Sequence, residues 1–263
     1  MTPFAARPEA DCLIDSHCHL DAPELAADRD AAVAEAQAAG IGQLLVPAVG
    51  AGNFDDVLAM RSRYGCWIAL GLHPIYLERH LDDHLALLDA ALAAHAPAAV
   101  GEIGLDFYLP ELDPRRQERL FVEQLKLARR HGLPVVLHVR RSVDRVLKHL
   151  REQKAEGGIA HAFNGSEQQA QALIRQGFKL GFGGAMTYDG SRRIRRLAAT
   201  LPQSSLVLET DAPDIRPAFA QDAPNRPAHL ARFAALLAEL RGEPLPALRA
   251  ALCRNTLAAL ALA

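Results

Sequence analysis

Eight short apolar runs, each followed by a stretch of helical periodicity, limit what this chain can fold into more than any single motif does. The runs are "CLIDSHCH", "QLLVPAV", "CWIALGLH", "AAVGEIGLDF", "LPVVLHVR", "GIAHAF", "FKLGFGG" and "SLVLETD". Near-continuous hydrophobicity over so few residues marks a strand buried on both faces, as in parallel sheets covered by helices. Helix candidates fall between the runs: Asp28 to Ala39, Phe54 to Arg63, Leu81 to His95, Pro114 to His131, Val143 to Gln153, Glu167 to Gln176 and Arg192 to Thr200. Pro227 to Arg241 and further helix follow the eighth run. Helix ends carry matching punctuation. Asp113-Pro114 reads as an N-cap with proline at the first helical position, and Ser166 with Gln169 reads as a capping box. Gly40, Gly132 and Gly177 suit the residue just past a helix.

This alternation predicts an α/β fold, a (β/α)8 TIM barrel with a C-terminal helical extension. The expected organisation is one domain over residues 1–263. A doubly wound open sheet is the alternative, but no GxGxxG follows the first run. The formal net charge of −2 lacks the basic excess of a dedicated nucleic-acid binder, though an enzyme that meets nucleic acid only at its active site remains compatible. The leader "MTPFAARPEA" has neither the basic start nor the apolar stretch of a signal peptide, and no run is long enough to span a membrane. None of the four cysteines, Cys12, Cys18, Cys66 and Cys253, forms a CxxC pair. A cytoplasmic protein with reduced thiols is expected, with Cys18 and Cys66 as small buried hydrophobes rather than ligands.

A barrel places its reactive groups at the C-terminal ends of the strands. The first run ends in His17 and His19, the third in His73, the fifth in His138 and Arg140, and the sixth in His161. The fourth carries Glu102 followed by Asp106; the eighth carries Glu209 and ends in Asp211. A polar group in an apolar run is costly without a partner. A lone buried histidine is ordinarily a satisfied core residue, but five runs ending in His, Glu or Asp point to a metal centre. In a strand His17 and His19 would project from one face, with Asp15 a layer deeper and Cys18 turned away. Barrel closure sets the eighth strand beside the first, so Asp211 would join His17 and His19 on one ion. His138 and His161 would hold a second, and Glu102 would bridge the two. Such a pair lowers the pKa of water, and Asp211 is the expected proton acceptor. Neither the fourth nor the fifth run contains a lysine that could serve as a modified bridge.

The motifs "DSHCHLD", "GLHP", "VGEIGLDFY", "LPVVLHVR", "HAFNGS" and "LETDAP" resemble, in order, those of the TatD-type metal-dependent hydrolases of the amidohydrolase superfamily. The likeness runs from about residue 12 to the C-terminus, and "TDAPD" and "PNRP" are most similar to the YjjV-like branch. The resemblance implies a binuclear-type hydrolase on a TIM barrel, a family in which several members are deoxyribonucleases. It implies the metal ligands His17, His19, Glu102, His138, His161 and Asp211. Two positions depart from many of the nucleases. "GLHPH" becomes "GLHPI" at Ile75, and "RNEP" becomes "PNRP" at Pro224 to Pro227. Both lie on the substrate side and leave the ligand set intact.

Around that centre His73 is read as a hydrogen-bond donor to a phosphate oxygen, with a cap on the loop before Pro74 as the plain alternative. Arg140, two residues after His138, suits an anionic group; its alternative is an ion pair with Asp144. Gly165 and Ser166 open a helix whose N–H groups favour an anion or simply a cap. Glu209 and Asp15 would support imidazole orientation from below. "SRRIRRL" sets Arg192, Arg195 and Arg196 on one helical face, read as solvated because no aromatic residues are interleaved. The expected reaction is hydrolysis of a phosphoester in DNA or another phosphoester substrate, bound transiently, with no membrane and no obligate protein partner. Two divalent ions are expected, Zn, Mn or Mg. The rivals are an amidohydrolase acting on a C–N or ester bond and a metal-binding protein without catalysis.

Overall fold

The computed structural model describes residues 2–5 and 8–263; of the leader, Met1, Ala6 and Arg7 lie outside the described residues. All eight apolar runs form strands: Leu13–Asp15 (β1), Ile41–Pro47 (β2), Trp67–Leu70 (β3), Ala99–Asp106 (β4), Val135–Arg140 (β5), Gly158–Ala160 (β6), Phe178–Phe182 (β7) and Leu206–Leu208 (β8). They pair in parallel in the order β1 to β8. The Ser16 N–H donates to the Leu208 carbonyl at 3.0 Å, drawing β8 back to β1. The Asp15 carboxylate reinforces this seam, accepting from the Thr210 N–H at 2.8 Å and the Thr210 hydroxyl at 2.5 Å. Eight parallel strands with alternating helices thus make the expected TIM barrel.

The helices between and after the strands are Arg29–Ala38 (α1), Phe54–Tyr64 (α2), His84–His95 (α3), Pro114–His131 (α4), Val143–Gln153 (α5), Glu167–Arg175 (α6), Arg192–Thr200 (α7), Leu230–Arg241 (α8) and Leu245–Ala259 (α9). Local chemistry sets their ends. The Asp113 carboxylate accepts from the Arg115 N–H, and Ser166 and Gln169 close a reciprocal capping box. The first helix starts one residue late, at Arg29 rather than Asp28, and two other starts differ more. α3 begins at His84 rather than Leu81, whose side chain is largely exposed, and Pro227–His229 is a tight 3-10 turn leading into α8. Among the described residues no helix is long and apolar enough to cross a membrane.

Strand alternation sorts the core into two layers. Leu44, Val46, Ile68, Leu70, Val100 and Leu137 pack outward against the helices. Leu45, Ala69, Ala99, Val136, Ile159 and Val207 pack together inside the ring, and Ala259 and Leu260 at the end of α9 join them. The C-terminal extension therefore plugs one end of the barrel. The opposite end, where the strands terminate, is left for chemistry.

Four strands stop before the polar residue that ends their apolar run. β1 stops at Asp15, so His17 and His19 stand on the following loop rather than one strand period apart. His73, His161 and Asp211 likewise lie past β3, β6 and β8. The cause is a change of hydrogen-bond partner. Cys18 N–H donates to Leu45, His19 N–H to Ala212 and Asp211 N–H to His17. The first of these bonds reaches β2 and the other two join the loops after β1 and β8, bringing the side chains together.

Candidate metal centre

His17, His19, His73, Glu102, His138, His161 and Asp211 converge at the strand C-termini. Glu102 occupies the middle of the group, 1% exposed, and its two oxygens face different neighbours. Oε2 lies 3.0 Å from His17 Nε2 and 3.6 Å from His19 Nε2. Oε1 lies 2.8 Å from His161 Nε2, 3.0 Å from His138 Nδ1 and 3.0 Å from His73 Nε2. Asp211 Oδ1 is 3.6 Å from His17 Nε2 and 3.7 Å from His19 Nε2, and these two nitrogens are 3.2 Å apart. A four-coordinate ion with ~2.1 Å bonds has ligand–ligand edges of about 3.4 Å. His17, His19 and Glu102 match that spacing, and Asp211 stands at a similar distance from the two imidazoles. His17, His161 and Asp211 also lie within reach of a common ion, as do His73, Glu102 and His138.

The donor chemistry fits cations. Asp106 Oδ2 lies 2.9 Å from His138 Nε2 and can only accept, so that nitrogen carries a proton. In neutral His138 the Nδ1 lone pair then faces a Glu102 oxygen, which is unfavourable unless a proton or a metal ion lies between them. Burial opposes ionisation of Glu102, yet the imidazoles of His73, His161, His17 and His138 outweigh it and hold the carboxyl well below its usual range. Burial lowers His17. It opposes charge on His161 and His19 as well, but Glu102 and Asp211 prevail; His161 is driven well above its ordinary value and His19 up to about 9. Burial pushes Asp211 up to about 7. This is a compact cage of ionised and ionisable donors, the kind of site that binds divalent cations.

The TatD-related DNase family model matches residues 14–261. The chain belongs to this family. It is 46% identical over 248 residues to the uncharacterized metal-dependent hydrolase YjjV of Escherichia coli K12, covering 92% of this chain and 95% of that one. It is 34% identical over 240 residues to the 3'-5' ssDNA/RNA exonuclease TatD of Cronobacter sakazakii, covering 88% and 91%. The crystal structure of E. coli YjjV superposes with a TM-score of 0.90 at 43% identity, over 95% of this chain and 98% of that one. As a TatD-family member the protein is a metal-dependent hydrolase.

Other carboxylates stand behind the imidazoles of this TatD-family centre. Asp106, fully buried behind His138, had no role assigned from sequence, although it closes the same "GEIGLD" run as Glu102. Its Oδ1 also accepts the Tyr108 N–H at 2.9 Å. Glu209 accepts from the Ala162 N–H at 2.5 Å and lies 3.7 Å from His161 Nδ1. Gly181 on β7 makes room for it, since a Cβ there would occupy the place of the Glu209 carboxylate. A Cβ at Gly183 or Gly184, the glycines that end the seventh run, would instead meet the Glu209 or Ile215 backbone carbonyl. Asp15 is committed to the β1–β8 seam, and burial pushes its carboxyl up to about 8.

The rim residues have mixed attachments. His73 Nδ1 accepts the Ile75 N–H at 3.0 Å, capping the turn that starts at Pro74, so its proton sits on Nε2 and is directed at Glu102. Arg140 is half-exposed. Its guanidinium lies 3.8 Å from both the Tyr108 ring centre and Asp106 Oδ2, whereas Asp144 accepts from Gln169. In "PNRP", Asn225 is fully buried and donates to the Thr210 and Ile215 carbonyls, and Arg226 pairs with Asp28, just before α1, and with Glu35 on it. This segment fastens the Asp211 loop to the barrel wall. On α7, Arg195 is tied to the Met186 carbonyl, while Arg193, outside the face read from sequence, reaches Asn164. A cleft of about 1140 Å³ opens from His138, His161 and Asp211 past Tyr108, Arg140 and Arg193.

Proposed function

We propose that the protein is a phosphodiesterase that cleaves single-stranded nucleic acid, using two divalent ions held by His17, His19, Glu102, His138, His161 and Asp211. The observation that carries this reading is the division of labour within Glu102, one oxygen facing His17 and His19 and the other facing His138 and His161. Divalent ions there would acidify water and stabilise charge on the attacked phosphorus. The chain's own residues supply the rest. Asp211 stands at the cleft side of the cage and accepts a proton. Asp106 holds the ring of His138 through a hydrogen bond, and Glu209 faces His161 Nδ1 at 3.7 Å. Arg140, braced on Tyr108, is placed to hold a non-bridging phosphate oxygen, whereas the Nε2–H of His73, expected from sequence to do the same, is directed at Glu102. The activity printed for the Cronobacter relative supports a nucleic-acid substrate. The cytoplasm is the proposed place of work, in keeping with four free, buried cysteines.

The test is reconstitution. Chelator-treated protein is loaded with Mg²⁺, Mn²⁺ or Zn²⁺ and assayed on a single-stranded oligonucleotide, bis(p-nitrophenyl) phosphate, a phosphomonoester, and neutral esters and amides. Metal-dependent turnover confined to the phosphodiesters is expected. Turnover confined to the amides or esters would replace this reading with an amidohydrolase, and no turnover with any metal would leave a binding protein.

A further inference from the structure

The cleft does not extend evenly around the metal centre. It runs out over β5, β6 and β7, and its outer wall is basic. Arg141, Lys148 and Arg193 are all exposed there. Among the described residues Arg141 has no carboxylate within ion-pair distance; it lies over the Tyr108 ring at 4.6 Å. Among the described residues Arg193 is held by Asn164 alone. Lys148 has one loose contact, 3.7 Å to Glu152. Arg145, by contrast, is engaged with Glu118 at 2.7 Å. On the other side of the centre, after β1, stand Asp21 and, close to it, Asp56. The cleft wall thus offers the three exposed cations Arg141, Lys148 and Arg193 against one exposed acid, Asp144, although the whole chain carries a formal charge of −2.

Arg141 also departs from strand geometry. Consecutive residues of a strand point to opposite faces. At Arg141, immediately after β5, φ is +54°, a left-handed value uncommon for a residue with a side chain. That turn lets Arg140 and Arg141 approach the same aromatic ring, at 3.8 and 4.6 Å. Tyr108 itself is 45% exposed, one of the few large hydrophobic side chains so placed, and it stands at the cleft. An exposed ring beside spare cations is the composition of a single-strand site, where bases stack on aromatics and phosphates follow basic side chains.

We propose that Arg141, Lys148 and Arg193 form a second anion site, distinct from the metal centre, for phosphates beyond the scissile one, and that Tyr108 stacks a base between the two. The ligand is a single-stranded oligonucleotide whose body lies over β5 to β7 while its end occupies the centre. The proposal rests on the phosphodiesterase reading for the orientation of that strand, but its binding test does not require turnover.

Two measurements on the full-length protein decide it. In the first, a fluorescein-labelled oligothymidylate is titrated with chelator-treated protein and anisotropy is followed at several salt concentrations. Each phosphate contact on a single strand contributes about 0.7 to the slope of log K against log salt. Removing three contacts in the triple variant R141A/K148A/R193A should lower that slope by about 2 and weaken binding at least tenfold. Tyr108→Ala should weaken binding about tenfold, whereas Tyr108→Phe should retain it. Circular dichroism and melting curves identify any unfolded variant, and K148E with R193E supplies a second, charge-reversed test at exposed positions. In the second measurement the ratio of kcat/KM on oligothymidylate to that on bis(p-nitrophenyl) phosphate is compared. It should fall about tenfold in the triple variant through KM. Unchanged salt slope and affinity in folded variants would overturn the second site. A wild-type protein that binds the oligonucleotide with the expected slope yet cleaves neither diester would overturn the phosphodiesterase reading and leave the second site standing.

Discussion

Asp106 Oδ2 lies 2.9 Å from His138 Nε2, on the side of the ring away from Glu102. The same carboxylate uses its other oxygen to accept the Tyr108 N–H and approaches Arg140 at 3.8 Å. One buried acid thus sets the tautomer of a proposed metal ligand, anchors the loop after β4 and attracts the arginine at the cleft mouth.

Two acceptor oxygens meet two N–H donors at Asp106. An asparagine has a single acceptor oxygen, so Asp106→Asn must turn an NH2 group toward either His138 Nε2–H or the Tyr108 N–H. The ring should lose its fixed tautomer, and metal affinity or activity should drop by about 10–100-fold. Elemental analysis after dialysis, together with calorimetric metal titration, measures this. Wild-type stoichiometry and affinity in the variant would show that His138 does not depend on Asp106.

Glu102→Gln removes the charge at the point where five imidazoles meet. An amide nitrogen cannot coordinate as a carboxylate oxygen does, so the variant should lose one ion or most of its activity. Metal-free wild-type protein should gain several °C in melting temperature on adding saturating cation, since a ligand that binds only the folded state stabilises it by RT ln(1 + [L]/Kd). Glu102→Gln should gain clearly less. An equal gain in the two proteins would remove Glu102 from the centre.

The loop after β8 gives a prediction about stability rather than chemistry. Asn225 is fully buried and bonds to the Thr210 carbonyl at 2.7 Å, the Ile215 carbonyl at 3.2 Å and the Arg226 N–H at 2.9 Å. Asn225→Ala strands these groups and should cost about 2–3 kcal/mol. Arg226 is partly exposed, so its pairs with Asp28 and Glu35 are screened, and Arg226→Ala should cost about 1 kcal/mol or less. Urea midpoints at constant m-value compare the two. A larger loss for Arg226→Ala would mean that the loop is held by charge rather than by the buried amide.

The barrel and the convergence of the seven polar residues were legible because both depend on where apolar runs stop, and that is written in the order of residues. α4, α5 and α7 begin and end where their periodicity and caps place them. The run lengths misled at β1, β3, β6 and β8. Apolar sequence continues past the last ladder bond there, and loop-to-loop bonds such as His19 N–H to Ala212 depend on a partner nearly two hundred residues away. Asp106 escaped for a related reason. Its position beside Glu102 was visible, but its partner, the outer nitrogen of His138, depends on ring rotation. Arg193 was passed over because helical spacing groups Arg192, Arg195 and Arg196, whereas the cleft wall selects the residue between them.

Asp211 and Arg140 should fail differently. Asp211 Oδ1 lies within 3.7 Å of both His17 and His19, in the cage itself. Arg140 stands at the mouth, stacked on Tyr108, with its nearest carboxylate 3.8 Å away. Asp211→Asn keeps the shape, removes a ligand charge and removes the proton acceptor, so kcat should fall by roughly 100-fold or more on any substrate. Arg140→Ala removes a contact made alike in ground and transition states, which raises KM for a phosphodiester and leaves kcat largely intact. A neutral ester, with no anionic oxygen to hold, should be far less affected by the Arg140 change. Steady-state kinetics of both variants on one charged and one neutral substrate separates these roles. Equal damage to both substrates by Arg140→Ala would mean that the arginine acts through Asp106 and His138 on the metal centre, and the case for a phosphate-holding rim would fall with it.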